Sequence, residues 1–226
     1  MGTILASTII ASVAKTLQDE ATDRRTTEAD LFGYINAAQR EAVILKPDIS
    51  VANVSVVLVA GTKQTIPTAG IQLIKLVRNM GTTGTTVGNI IRMVDDIENF
   101  NLMNPSWHTS TASATVEKCI FDERDPKHFY VSPPQPASGF GYVEEIYSVI
   151  PADIVAGSGP VYTVAITIDD IYATPVIEPY CLYRAYAIDA DQSQLAWERS
   201  NFNYNLFLTA LGRLDLIERT NKPKER

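Results

Sequence analysis

Only two side chains in this sequence, His108 and His128, have an ordinary proton affinity near neutral pH. A nucleophile activated by general-base catalysis most often uses such a group. His108 lies in the Ser/Thr-rich stretch WHTSTAS, so a Ser–His pair is conceivable. That stretch lacks a GxSxG elbow and any assignable acidic partner. Loop polarity is the simpler account, and a small hydrolase using His108 or the acidic clusters remains as the rival reading. His128, in DPKHFYV, reads as the start of a strand. Carboxylates gather at Asp95-Asp96, Asp122-Glu123-Asp125, Glu144-Glu145, Asp169-Asp170 and Asp189-Asp191. Paired acids can hydrolyse glycosides, and clustered acids can hold Mg²⁺ or Ca²⁺. Each cluster also has a local explanation. Asp95 caps a helix, residues 122–125 shape a turn before Pro126, and Asp169-Asp170 join a strand to a helix.

No cofactor motif emerges. The run GTTGTTVG at 81–88 has the glycines of a phosphate cradle without the GK[ST] ending, and it joins two strands, so it reads as a hairpin tip. Cys119 and Cys181 show no CxxC spacing and read as two buried small hydrophobes. Two Cys and two His at these separations build no structural zinc site. Tyr180, Tyr183 and Tyr186 lie three apart, with Tyr204 further on. A base-stacking surface would interleave them with Lys or Arg, and only Arg184 is there, so a packing stripe is the better reading. The expectation is no catalytic residue, no metal and no cofactor.

The elements that carry these residues fall into an order. Leu5, Ile9, Val13 and Leu17 form one stripe of a helix over 3–18. Thr27, with Asp30 as a capping-box partner, opens a second helix that carries Leu31, Ile35, Ala38, Ala42 and Leu45 inward and ends at Pro47. Val/Ile-rich runs at 51–59, 71–80, 89–94, 115–122, 128–132, 142–148 and 161–167 read as strands. A short helix is expected at 95–103, and SPPQP reads as an extended arm. A helix behind Thr174, with Pro175 in its first turn, and a last helix over 193–218 close the pattern. The last helix has two apolar stripes, Leu195–Phe202–Leu206–Thr209 and Phe207–Leu211–Leu214, and so expects two neighbours.

This order predicts an α+β fold: a four-helix bundle from both chain ends with an inserted antiparallel β region. The expected parts are a discontinuous helical bundle of 1–46 plus 174–218, a β-rich insertion of 47–173, and a flexible tail of 219–226. The 226 residues suffice for a real core without staples. With 46% hydrophobic and 20% charged residues, global disorder is excluded. A net charge of −7 argues against a basic face that grips nucleic acid, though not against a wall that DNA slides past. The first residues lack a basic segment before an unbroken apolar run, so neither a signal peptide nor a membrane span is expected.

Three stretches carry a resemblance: DLFGYINAAQREAVILKPD at 30–48, DERDPKHFYVSPPQP at 122–136 followed by GYVEEIYSVIP, and IDDIYATPVIEPYCLYRAYAIDADQSQLAWERSNFNYNLFLTALG at 168–212. In this order they resemble the head-to-tail adaptor (connector) proteins of tailed bacteriophages, of the kind related to the tail tubular protein A of short-tailed phages. Residues 51–94 carry little of the likeness. The resemblance implies a homo-oligomer, a dodecameric ring in the virion neck, reached from the host cytoplasm during assembly. It implies the portal protein above, a distal tail, nozzle or neck protein below, and genomic DNA passing through the lumen without specific binding. No membrane and no active site are implied. Another neck or tail ring protein, such as a tail terminator, is the alternative of the same class.

The residues carried over are few. Asn36, Gln39, Arg40 and Glu41 on the second helix, with Arg184 and Asp189 on the third, are candidates for a polar network within the bundle or between subunits. An intrasubunit pairing with no assembly role is the equal alternative. Arg219, Lys222, Lys224 and Arg226 are candidates for portal contacts, as are the hairpin with Gly81 and Gly84 and the arm with Pro133 and Pro134.

Overall fold

The structure, a computed structural model, describes residues 2–19, 26–94, 97–122, 124–155, 163–213 and 215–216. The chain divides into two compact units, one formed by residues 1–49 with 151–226 and the other by residues 50–150. The described residues of 151–173 therefore cluster with the helices, whereas the sequence reading had grouped them with the strands.

In the helical unit, α1 (Ala6–Leu17) buries Ala6, Ile9, Ile10, Val13 and Ala14. It stops at Gln18, whose left-handed conformation (φ 57°) turns its N–H onto the carbonyls of Ala14 and Lys15. The second helix, α2 (Glu28–Leu45), opens on the expected capping box: Asp30 N–H donates to Thr27 Oγ1, and Thr27 N–H donates back to the Asp30 carboxylate, both at 3.1 Å. Leu31, Ile35, Ala38 and Ala42 are all buried, as their spacing requires. A one-turn 3₁₀ segment, Pro47–Ile49, follows.

The second helical half starts earlier than Thr174. Asp169 caps a 3₁₀ turn at Asp170–Tyr172 by accepting from Ile171 N–H (3.0 Å), and a π turn at Ala173–Ile177 leads into a regular helix at Glu178–Ala187. Pro175 and Pro179 donate no N–H, so regular α hydrogen bonding settles only beyond them. The last long helix, Gln194–Ala210, ends well short of residue 218. Gly212 takes φ +76°, and the N–H of Arg213 closes on Leu208 O at 2.9 Å, a glycine-type C-terminal cap. With the short helix of the β unit (below) numbered α3, these two are α4 and α5. Helix α4 packs against α1, α2 and α5, and α1 packs against α2.

Residues 161–167 do not form a strand in the part that is described. Ala165 alone makes a bridge, to Leu5, flanked by Ala6 N–H to Val164 O and Ile166 N–H to Ile4 O, both 2.9 Å. The other potential pairing partners are helices, so the extended run is tied down by side chains instead.

The second unit holds two sheets. One has the order β1–β7–β3, from Val51–Val57, Tyr142–Val149 and Gly70–Asn79. The other has the order β2–β6–β5–β4, from Gly61–Thr65, His128–Gln135, Lys118–Phe121 and Arg92–Val94. All named pairings are antiparallel except β4 with β5, which is parallel. Strand β2, GTKQT, is too polar to announce itself. Leu58, Ile66, Leu73, Leu76, Ile91, Val116, Cys119, Phe129, Val131 and Val143 form one core cluster with members from both sheets. A second cluster, Phe100, Trp107 and Ile120, joins α3 (Ile97–Met103) to the second sheet. Neighbouring Cys119 and Ile120 on β5 thus enter different clusters, as strand alternation demands.

Candidate functional site

The six polar residues proposed as one network occupy four separate settings in the helical unit. Asn36, Gln39 and Arg40 share a face of α2, and between them they hold Asp153, Ile154, Thr167 and Ile168. Asn36 makes a two-way clasp with Ile154: its Nδ2 donates to the carbonyl and its Oδ1 accepts from the N–H, each at 3.0 Å. Gln39, 1% exposed, accepts from the N–H of Thr167 at 2.6 Å and of Ile168 at 3.1 Å through the same Oε1. Those two donors belong to an extended run with no sheet neighbour on that side, so the amide does the work of a missing strand. Arg40 pairs with the Asp153 carboxylate at the surface. The N-terminal residues are pinned to the next stretch of the same segment. Asp170 accepts from Thr3 N–H and Thr3 Oγ1 at 2.6 Å each and from Ile4 N–H at 2.9 Å, and these bonds hold its carboxyl below the usual carboxylate range.

Glu41 turns to a different group. Its carboxylate accepts from Tyr204 OH (3.1 Å) at the edge of an aromatic cluster in which Tyr180, Tyr183, Tyr204 and Phe207 meet pairwise at 4.8–5.8 Å between centroids. Burial and the Glu41 charge push the Tyr204 hydroxyl up to about 12. Tyr180 moves the same way, chiefly through burial. The tyrosines form a packing stripe between α4 and α5, as read. Arg184 lies over the Tyr34 ring (5.3 Å) and Arg199 over Tyr186 (5.7 Å). The backbone carbonyl of Asp189 receives the N–H groups of Gln192 and Ser193 at 3.0 Å, which forms the α4–α5 turn.

The candidate contact residues also resolve into different settings. Gly81 and Gly84 adopt φ +67° and +78° in the connection from β3 to β4. This connection is a hairpin that bridges the two sheets: Asn79 N–H reaches Asn89 O at 2.9 Å, and Ile91 N–H reaches Val77 O at 3.2 Å. The tip is not loose at its base, because Tyr142 N–H donates to Gly81 O at 2.8 Å. Pro133 and Pro134 are not in an arm. They continue β6, and Pro134 is buried, with its carbonyl accepting Ser113 N–H at 2.9 Å. A proline is tolerated in this strand where no ladder bond needs its N–H. Buried Gln135 closes the turn that follows by accepting from Gly141 N–H at 2.9 Å, so only 137–139 project as an exposed tip. Arg219, Lys222, Lys224 and Arg226 lie outside the described residues, as do Asp95, Asp96, Glu123 and the glycines at 157 and 159.

The rival chemistry finds no assembled centre. His108 Nδ1 pairs with Thr62 Oγ1 (2.9 Å), and its ring stacks on Trp107 at 3.7 Å. His128 pairs with Asp125 (2.7 Å) across its turn. Both cysteines are free and buried, and burial pushes both thiols up. Among the described residues no three His, Cys, Asp or Glu side chains gather as metal ligands. No helix of the described residues is long and apolar enough to cross a membrane.

The burial of Glu145 escaped the sequence reading, and one of the two stripes that reading gave the last helix is left uncovered. Glu145, on the central strand β7, is 0% exposed, and among the described residues neither carboxylate oxygen has a hydrogen-bond partner. Desolvation raises it from its ordinary 4.5 to about 7. The signal was present: Val143, Glu145 and Tyr147 alternate onto one face, and the other two are buried apolar residues. The uncovered stripe is the outer face of α5, where Leu195, Phe202 and Leu206 are exposed, whereas Phe207, Leu208 and Leu211 fill the inner one.

The model of one protein family, described as SU10 adaptor protein, matches residues 4–226. The chain belongs to the SU10 adaptor protein family. No curated protein matches it. An SU10 adaptor is a structural phage protein, and the match runs from the first turn before α1 through both units, including the stretch 51–94 that carried little of the sequence resemblance.

Proposed function

We propose that this protein is a head-to-tail adaptor, related in kind to the tail tubular protein A of short-tailed phages. In this reading twelve copies form a ring in the virion neck, below the portal. The ring continues the DNA channel and offers a docking surface to the next tail component. Family membership across residues 4–226 is the observation that carries this reading. The reading makes no bond and breaks none, and it needs neither metal nor cofactor.

The geometry supports it in three ways. Helix α4 packs against α1, α2 and α5, and α1 against α2, which fits the rigid body a ring must pack side by side. The stripe Leu195–Phe202–Leu206 on α5 is the lateral contact with the neighbouring copy, since its apolar side chains are exposed on one helix face, with Glu198 and Arg199 between the first two. The acidic chain, −7 overall, leaves DNA phosphates without a basic wall to stick to. Within this reading the tip carrying Gly81 and Gly84 and the basic residues Arg219, Lys222, Lys224 and Arg226 reach the portal or a neighbour. The residues Asn36, Gln39, Arg40, Glu41, Arg184 and Asp189 shape the subunit from within.

Electron micrographs of the protein mixed with its portal test the proposal. The expected image is a second ring stacked coaxially under the portal. A portal that stays bare at saturating protein overturns it, as does a virion reconstruction that places this chain away from the neck.

A further inference from the structure

The four sheet edges are treated unequally. Strand β3 is covered by the return of the chain at 89–91. Strand β2 carries a register break between Gly61 and Lys63 and a charged side chain, and β4 is three residues long with Arg92 on it. Strand β1 has none of these protections. Its seven residues, VANVSVV, contain no charge, no Pro and no Gly, and they pair with β7 without a bulge. Native edges are normally blunted by one of those devices, because an open edge templates pairing with another chain.

The ladder shows which groups are left open. Val149 N–H donates to Ser50 O (2.9 Å), and Leu58 N–H donates to Gly141 O (3.0 Å). In an antiparallel pair the bonded positions alternate, so residues 50, 52, 54, 56 and 58 give their backbones to β7. Val51, Asn53, Ser55 and Val57 therefore aim four N–H and four C=O groups away from the sheet, and among the described residues no partner meets them. Val51, Val54 and Val57 are 45%, 38% and 46% exposed.

We propose that this edge pairs with the same edge of a second copy, antiparallel, about a two-fold axis through Val54. The sequence is its own complement in that register. Val51 faces Val57 of the second copy, Ala52 faces Val56, Asn53 faces Ser55, and Val54 faces Val54. Each outward-aimed residue meets an outward-aimed residue, so all of the open N–H and C=O groups are satisfied at once. Apolar side chains meet apolar ones, and the one polar position meets the other. The product is a six-stranded sheet, β3–β7–β1–β1–β7–β3. A two-fold contact uses one patch twice, whereas neighbours in a cyclic ring meet through two different patches. The pairing therefore belongs to the chain off the ring and goes beyond the adaptor reading, and ring formation can succeed or fail without affecting the result.

Cysteine crosslinking of the full chain tests the register. Residue 54 would face its own copy at a non-hydrogen-bonded position, where Cα atoms approach to about 4.5 Å, within disulfide reach. Residue 51 would lie six positions from its own copy, about 20 Å away. Val54→Cys is expected to give a disulfide-linked dimer on mild oxidation, and Val51→Cys is not. Both native cysteines are buried and leave the background clean. In sedimentation, Ser55→Pro should weaken self-association at least about tenfold, since it deletes an outward N–H in each copy and no bond to β7. Equal crosslinking at 51 and 54, no crosslinking at 54, or a wild-type chain that stays monomeric at every concentration tested overturns the proposal.

Discussion

Glu145 is the residue whose environment departs furthest from its chemistry. An ionised carboxylate in the core with no donor is costly, so the proton stays on in the folded state long after the unfolded chain has released it. Between its ordinary 4.5 and the raised value of about 7, the folded state binds the extra proton. Stability from this group is therefore full below about pH 4.5 and is lost as pH rises through about 7. The loss approaches about 3 kcal/mol at alkaline pH. Glu145→Gln removes the titration. Urea unfolding should show the variant more stable than wild type by about 2–3 kcal/mol at pH 8.5 and nearly equal at pH 5. Parallel wild-type and variant profiles would show that the carboxyl finds a partner on ionising. Burial moves Glu178 in the same direction, which is why the difference between the two profiles, and not the wild-type slope, is the quantity to read. Gln39 divides the case: its Oε1 serves two N–H groups, while its Nε2 is buried with no hydrogen-bond partner among the described residues. Gln39→Ala leaves both donors unmet and should cost about 2–4 kcal/mol by the same urea assay, whereas Arg40→Ala, which breaks an exposed ion pair, should cost less than about 1 kcal/mol.

Elements differ in how openly the sequence declares them. The start of α2 was readable to the residue, because Thr27 and Asp30 are chemically committed to a cap. Helix α5 was read past its end, since apolar spacing continues through Leu211 and Leu214 and outweighed Gly212, the residue that stops it. Strand β2 was invisible because its side chains are polar, and buried Gln64 is satisfied by the backbone of Val59, both ways at 2.8 Å. Pro133 and Pro134 pointed to an arm because proline usually marks a strand's limit, and here β6 runs through them. The candidate network was read as one cluster from helical proximity. Half of it is recruited by Asp153, Ile154, Thr167 and Ile168, and the strand pattern read at 161–167 pointed to a sheet neighbour and not to side chains of α2. At two tips of the β unit, the β3–β4 hairpin and the β6–β7 turn, one glycine each separates conformational strain from crowding. Gly84 and Gly139 both hold positive φ, +78° and +71°. A Cβ on Gly84 would lie 2.8 Å from the Tyr142 ring, whereas one on Gly139 would meet nothing within 4 Å. Gly139→Ala should cost about 1 kcal/mol, the left-handed penalty alone, and Gly84→Ala about 1–2 kcal/mol more in thermal unfolding.

At the scale of the whole molecule, the apolar surface that folding leaves uncovered is the guide to assembly. A single chain has no reason to line one helix face with Leu195, Phe202 and Leu206 while the opposite face already fills the core. Those side chains give their apolar area to solvent unless a neighbour removes it, at about 25 cal/mol per Å². In the proposed ring, one such stripe per copy would be buried in every interface at once, so a small loss per subunit would multiply with the number of contacts. Phe202 is 62% exposed and touches the fold least of the three. Phe202→Glu should therefore leave the unfolding midpoint within the range of surface changes, about ±0.5 kcal/mol, while placing a charge in every lateral contact. The expected outcome is a chain with wild-type circular dichroism and thermal unfolding that no longer builds a ring on the portal in electron micrographs. A variant that rings normally would move the lateral contact off α5. A variant that fails to fold would show that this face is covered within the subunit, and then Leu206→Ser, a milder change on the same stripe, decides between the two.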